Sequence, residues 1–237
     1  MTPDAPWLIT LDEVPSTNTW CLERWQALAH GAMVWTPKQT GGRGRGGKSW
    51  AAPAGVLTAS CVLHLPTDPG PLALAAGLAV LHTAEDLAPG LRCGIKWPND
   101  LVVGRRKLAG VLVERPTAQV AVVGVGLNLS ASWEGDLAQQ RTSLVEHGAT
   151  ATDPLTALTI LRRYLLEAAG LVRAGGFSAL LPSLRERDVL RGDLITIDDG
   201  GRLRQGTAGG IDPSGRLLVD DVPVISGSVV AWHPTAR

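Results

Sequence analysis

The chain has 237 residues, with 22 Lys and Arg against 22 Asp and Glu, and 45% of its residues are apolar. That length suits one large domain or one domain with a small appendage, and that composition suits a packed core rather than a disordered chain. A formal charge of zero leaves no global field to draw the chain to DNA, RNA or an anionic membrane, so any anion it binds must be held by a local cluster. Cys21, Cys61 and Cys93 are too few and too scattered for a disulfide scaffold or a zinc site, and read as reduced, structural thiols of a cytoplasmic protein. The first residues show no basic segment followed by an apolar one, so no signal peptide is expected, and no stretch is long and apolar enough to span a bilayer.

In chain order, 8–11 reads as a short strand. Ser16, Thr17 and Asn18 offer an N-cap to a helix carrying Trp20, Leu22, Trp25 and Leu28 at roughly helical spacing. A strand follows over 32–36, stopped by Pro37. Residues 40–49 hold five glycines and three cations and form a loop. The segment 56–65, between Gly55 and Pro66, is a buried strand, and 71–88 is an Ala/Leu helix with Pro71 at its start and Pro89-Gly90 beyond its end. Strands are expected over 92–96, 101–103, 108–114 and 120–129, joined by turns at Pro98-Asn99-Asp100, Gly104-Arg105 and Pro116-Thr117, and such short connections imply antiparallel hairpins. Leu155, Leu158, Leu161, Leu165, Ala169 and Val172 mark one face of a helix that Gly175-Gly176 ends. Beyond about Leu184, short strands over 193–198, 202–207, 217–219 and 229–232 alternate with Gly-rich turns and suggest a small barrel.

The run from Gly42 to Ser49 satisfies two nucleotide patterns literally, G-x-x-x-x-G-K-[ST] and G-x-G-x-x-G, and contains an Arg-Gly-Gly. Both nucleotide loops must lead straight into a helix whose N-terminus holds phosphate. Here Pro53 and Gly55 forbid that helix, and the hairpins imply an antiparallel sheet. One short Arg/Gly run in a chain of zero net charge, with one Phe and one Tyr beside eight Trp, is a weak signal for a strand binder. What survives is chemical: Arg43, Arg45 and Lys48 lie within six residues, among glycines that bring backbone N–H groups close to an anion.

Four more clusters stand out: Lys96-Trp97-Pro98-Asn99-Asp100 at a tight turn, Lys107-Leu108-Ala109-Gly110 opening a strand, Gly124-Val125-Gly126-Leu127-Asn128 interrupting one, and Gln39 before the basic loop. Singly, each also reads as a turn or a solvated strand end. Together, with Ser16-Thr17-Asn18, Gly42-Arg43-Gly44-Arg45 and Trp50, and in this order, the chain resembles the biotin–protein ligases from about Leu8 to Leu129, and more loosely in its last residues.

The resemblance implies an α+β fold: a mixed, largely antiparallel sheet with helices on one side, class II synthetase-like, over 1–186. A small SH3-like β-barrel domain over 187–237 completes it. The reaction it implies joins biotin to ATP as biotinyl-5'-AMP, with Mg2+ as ATP's companion. Biotin then passes to a lysine of a biotin carboxyl carrier protein. Arg45 and Lys107 match the family's two essential cations. Ser16, Thr17, Asn18, Gln39, Gly42, Arg43, Gly44, Arg45, Lys107 and Gly110 match the biotin side. Arg45, Lys48, Trp50, Lys96, Asn99 and Asn128 match the ATP side, and Asp100 the metal. The Gly41–Lys48 loop is expected to be loose when empty and to close over the adenylate, excluding water. Gly46 and Gly47 stand where relatives carry basic or bulky residues. With the catalytic segment starting near Leu8, no DNA-binding repressor domain is expected, and the chain is a monomer or a homodimer. The alternatives are a related lipoate or other acyl-acid ligase and, last, a P-loop nucleotide or nucleic-acid binding module.

Overall fold

The structure is a computed structural model that describes residues 5–65, 71–150 and 153–235. The first four residues and Pro66, the expected stop of the long strand, lie outside the described residues. A seven-stranded sheet comprises β1 (Leu8–Thr10), β2 (Ala32–Thr36), β3 (Val56–His64), β4 (Gly94–Lys96), β5 (Asp100–Val103), β6 (Arg106–Thr117) and β7 (Val120–Asn128), in the order β1-β2-β3-β7-β6-β5-β4. The helices are α1 (Thr17–Arg24), α2 (Leu72–Leu87), α3 (Asp136–Gln140), α4 (Pro154–Gly175) and α5 (Leu181–Arg187). The β1–β2 pair is parallel; every other pairing in this sheet is antiparallel, as the short connections required. None of the described helices is long and apolar enough to cross a membrane.

Because side chains alternate across a strand, β3, β6 and β7 present different residues to the two faces of the sheet. Leu57, Ala59, Cys61 and Leu63, with Ala121, Val123, Val125 and Leu127, join the main core with α2 and α4. Val34, Val62, Val120 and Val122 face the other way, onto Cys21 and Leu28, in a separate small core. Helix α1 therefore covers the opposite face from α2 and α4, which corrects the expectation of helices on one side. Its buried positions are Thr17, Asn18 and Cys21, with Trp20, Leu22 and Trp25 only half-buried. The expected apolar stripe was thus offset by one face, since the helix buries polar residues for a purpose other than packing.

Strand β6 runs on to Thr117, so Pro116 lies in a strand rather than a turn; a register irregularity between Glu114 and Thr117 accommodates it. Helix α4 begins at an Asp153 cap with Pro154 in its first turn and buries Leu158, Leu161, Leu165, Ala169 and Val172 as the periodicity demanded. The C-terminal strands, β8 (Leu194–Asp199), β9 (Arg202–Ile211), β10 (Leu217–Val219), β11 (Val222–Val224) and β12 (Ser228–His233), form one sheet in the order β11-β10-β9-β8-β12. Its edge strands β11 and β12 are not paired with each other, so the sheet is not a closed barrel.

All three cysteines are free and buried, and burial pushes each thiol up to about 12, which keeps it protonated and unreactive at neutral pH.

Candidate active site

The α1 face of the sheet explains the glycines. Thr58 and Ser60 of β3, Gly110 and Leu112 of β6, and Gly124 and Gly126 of β7 stand at alternate positions, opposite the apolar core. Where the partner strands would be expected to bring large side chains, the chain places glycine. A Cβ on Gly124 would lie 2.4 Å from Asn18 Oδ1, and one on Gly126 2.2 Å from the Trp50 ring. A Cβ on Gly110 would lie 2.9 Å from the same ring. The result is a cavity of about 340 Å3 above the sheet, roofed by the Gly41–Trp50 loop.

One end of this cavity is neutral and tightly bonded. Ser16 caps α1, its Oγ accepting from the Thr19 N–H at 3.3 Å. Gln39 Oε1 accepts from the Thr17 N–H at 3.0 Å and from Thr17 Oγ1 at 3.3 Å. Ser60 Oγ lies 2.7 Å from Thr17 Oγ1 and 2.6 Å from Asn18 Oδ1. Asn18 Nδ2 donates to the Leu112 carbonyl and to Glu114. Such polar side chains can be buried only because they satisfy one another.

The other end is cationic. Arg45, Lys48, Lys96, Lys107 and Arg141 line the cavity there against one lining carboxylate, Asp100, while Arg43, also in the lining, pairs with Glu114 beside Asn18. Asp100, at the start of β5, takes Lys107 Nζ at 2.6 Å. Asn99 donates to the Val111 carbonyl at 2.8 Å and offers its Oδ1 to Arg45 at 3.5 Å. Burial holds the Lys96 ammonium below the usual lysine range; Asp100 opposes this, and Lys107, Lys48 and Arg105 add to it. Burial likewise lowers Arg45, with Asp100 again opposing.

The loop from Gly42 to Trp50 is a small hairpin. The Gly44 N–H bonds the Lys48 carbonyl at 2.6 Å and the Trp50 N–H bonds the Gly42 carbonyl at 2.9 Å. Gly46 and Gly47 make its tip with φ of 63° and 75°, a conformation that favours glycine. After Ser49 the chain runs non-helically into β3, so neither nucleotide pattern has the helix it requires. Arg43 crosses to Glu114 at 2.7 Å, tying loop to sheet.

Of the residues singled out in the sequence, Ser16, Thr17, Asn18, Gln39, Arg43, Gly44, Arg45, Lys48, Trp50, Lys96, Asn99, Asp100, Lys107 and Gly110 line one cavity. Gly42 does not line it; the space for a Cβ there is taken by the Trp50 carbonyl, at 2.4 Å. Nor does Asn128. Its side chain is buried and its Nδ2 donates to the carbonyls of Lys107 and Thr142, so it braces the backbone. Sequence reading missed Ser60, Glu114 and Arg141, single polar residues in otherwise ordinary segments. The C-terminal segment supplies part of the rim, where Arg45 donates to the Gly227 carbonyl at 3.4 Å and Lys96 to the Val229 carbonyl at 3.3 Å.

A cavity that pairs a neutral hydrogen-bonding end with a ring of cations suits two joined ligands, one largely uncharged and one polyanionic. Comparison with known proteins agrees. The model of the Biotin/lipoate A/B protein ligase family matches residues 10–128. The chain is 37% identical over 230 residues to the biotin–[acetyl-CoA-carboxylase] ligase of Mycobacterium tuberculosis, covering 91% of this chain and 85% of that one. It is 32% identical over 231 residues to the enzyme of the same name from Paracoccus denitrificans, covering 88% and 92%. Its fold is similar to that of a biotin protein ligase from Aquifex aeolicus in complex with biotin and ATP, with a TM-score of 0.82, 25% identity, and coverage of 93% and 96%.

Proposed function

The chain belongs to the Biotin/lipoate A/B protein ligase family and is an ATP-dependent biotin–protein ligase, and we propose the following division of its reaction among the residues of the cavity. The observation behind it is the cavity itself, in which five cations and one lining carboxylate adjoin a hydrogen-bonded pocket of neutral side chains in a chain of zero net charge.

Biotin's ureido head group sits at the neutral end, against Ser16, Thr17, Asn18 and Gln39, with Arg43, Gly44 and Gly110 along its length. Its carboxylate points to Arg45 and Lys107. ATP lies at the cationic end, with Lys48, Lys96 and Asn99 around it and Trp50 beside its base. In the first half-reaction a carboxylate oxygen attacks the α-phosphorus and pyrophosphate leaves, giving biotinyl-5'-AMP. Two anions must meet for this to occur, and Arg45 and Lys107 lower that repulsion and stabilise the charge that develops on the α-phosphate. Lys107 reaches the phosphate by giving up its pair with Asp100.

Among the described residues no group of three His, Cys, Asp or Glu side chains forms a metal cage. Mg2+ would arrive with the triphosphate, whose charge it offsets, and Asp100 is the side chain that fits it, as Mg2+ is commonly held by one or two carboxylates plus phosphate oxygens.

In the second half-reaction the neutral ε-amine of a carrier lysine attacks the carbonyl of the mixed anhydride and AMP leaves. The acceptor is the biotin carboxyl carrier domain of a carboxylase, as the names of the similar enzymes imply. Until it arrives, water must be kept from the anhydride, and the Gly41–Lys48 hairpin does this by closing over the ligand. We read the chain as two domains, 1–186 and 187–237, the second contributing the Gly227 and Val229 carbonyls to the rim, and we place it in the cytoplasm on its three buried, reduced thiols.

The test is exchange of labelled pyrophosphate into ATP with purified protein. Exchange is expected with biotin and absent without it. Exchange with lipoate in place of biotin would move the chain to a related acyl-acid ligase, and exchange with neither acid in folded protein would end the ligase reading.

A further inference from the structure

Arg141 belongs to none of the motifs. It follows α3 and reaches the cavity from a segment whose backbone lies beside β6, with Lys107 and Arg141 as bridge partners and the Thr142 N–H on the Lys107 carbonyl at 3.0 Å. Asn128 holds both segments at once, donating to the Lys107 carbonyl at 3.3 Å and the Thr142 carbonyl at 2.8 Å. The two cations are thereby set over the same indole: Lys107 Nζ lies 5.1 Å from the Trp50 ring and the Arg141 guanidinium 5.9 Å, the guanidinium lying also 4.4 Å from the Trp133 ring.

Lys107 has Asp100 as a close counter-ion; the Arg141 guanidinium has no close ion pair among the described residues and lies against two aromatic rings. Burial lowers Arg141 from the usual guanidinium range, and Asp100 is the charge that opposes this. The N–H groups of the same two indoles, Trp50 Nε1 and Trp133 Nε1, are both buried without a partner. A buried donor without an acceptor is unusual enough to call for one, and here two such donors and a cation that must share Asp100 with Lys107 adjoin the cationic end of the cavity. Cation–aromatic contacts are weaker than charge-assisted hydrogen bonds to phosphate, so an arriving triphosphate displaces the former.

We propose that Arg141 is a second nucleotide-binding cation, which leaves its place against Trp50 and Trp133 to take the β- and γ-phosphates of ATP while Lys107 takes the α-phosphate. This rests on the reading of the cationic end as the ATP site. Arg141 then holds the pyrophosphate as it leaves, and Asn128 is the positioning residue that keeps the two cations at a fixed separation.

Arg141→Met keeps an unbranched stem against the indoles and removes the charge; Arg141→Gln serves as a second neutral variant should the first melt early; Arg141→Lys keeps the charge. The assays are ATP and biotin KM in pyrophosphate exchange, and calorimetric titration of inorganic pyrophosphate into the folded protein. The neutral variants are expected to raise the ATP KM and the pyrophosphate Kd about tenfold, with the biotin KM unchanged. Arg141→Lys is expected to recover most of the loss. A neutral variant matching the wild type, an equal loss toward biotin and ATP, or a Lys variant as poor as Met would overturn the assignment. Should the wild type show no biotin-dependent exchange, the ligase reading fails on its own, and the pyrophosphate titration still decides the role of Arg141.

Discussion

At one end of the cavity Thr17, Asn18, Gln39 and Ser60 are buried or nearly so and bond to one another. At the other, Arg45, Lys48, Lys96, Lys107 and Arg141 share the cavity with one lining carboxylate, Asp100, which pairs with Lys107, and burial works against several of them. The neutral end has its shape before any ligand arrives, because its polar groups are satisfied by protein. The cationic end is electrostatically incomplete and draws its missing charge from the ligand. A single cavity can therefore bind one substrate by fit and the other by neutralisation, and the two modes should respond differently to the same perturbation.

The largest effect expected is at the junction of the two ends. Lys107→Ala removes the cation nearest the reacting atoms and should slow adenylate formation by about 10²–10³-fold, a larger loss than the one it causes in biotin affinity, measured by single-turnover formation of biotinyl-5'-AMP. A loss smaller than tenfold would remove Lys107 from the chemistry.

Next in size is a crossed pair read by calorimetry. Gln39→Ala should weaken biotin binding by about tenfold and spare ATP. Lys48→Ala should weaken ATP by about three- to tenfold and spare biotin. If each variant loses both ligands equally, the division of the cavity is wrong.

The smallest effect is on pH dependence. Burial holds the Lys96 proton less tightly than the ordinary value of 10.5, so the free protein loses it at a lower pH. Bound phosphate favours the charged form, so ATP binding takes up a proton above that point, and affinity falls as pH rises. The effect on stability has the opposite sense: between the folded and unfolded values the unfolded chain holds more protons, so this group's contribution rises with pH. ATP affinity should therefore decline on the alkaline side below pH 10.5 and biotin affinity should not, with Lys96→Arg flattening the decline. Parallel pH profiles for the two ligands would contradict it.

Much of the site could be read from the chain because its chemistry is local. The Gly41–Trp50 loop, the Lys96–Asp100 turn and Lys107–Gly110 are short runs whose residue types are informative without knowledge of their neighbours. Ser60 and Glu114 were invisible for the opposite reason. Neither belongs to a recognisable local pattern, and its meaning comes from Asn18, 42 residues from the first and 96 from the second. Asn128 was placed at the nucleotide on its motif; that its buried Nδ2 also holds two backbone segments together is something the motif does not announce. The open C-terminal sheet was expected as a barrel because strand spacing shows how many strands there are and nothing of which edges meet.

By itself, then, the sequence determined the kinds of element, the antiparallel ladders and the set of cations, since these follow from periodicity, turn chemistry and the residues themselves. Only the tertiary structure decided which face of the sheet carries the cavity. The glycines at 110, 124 and 126 make room there for Asn18 and Trp50, from segments far away in sequence. Such a fit depends on distances that no local pattern encodes.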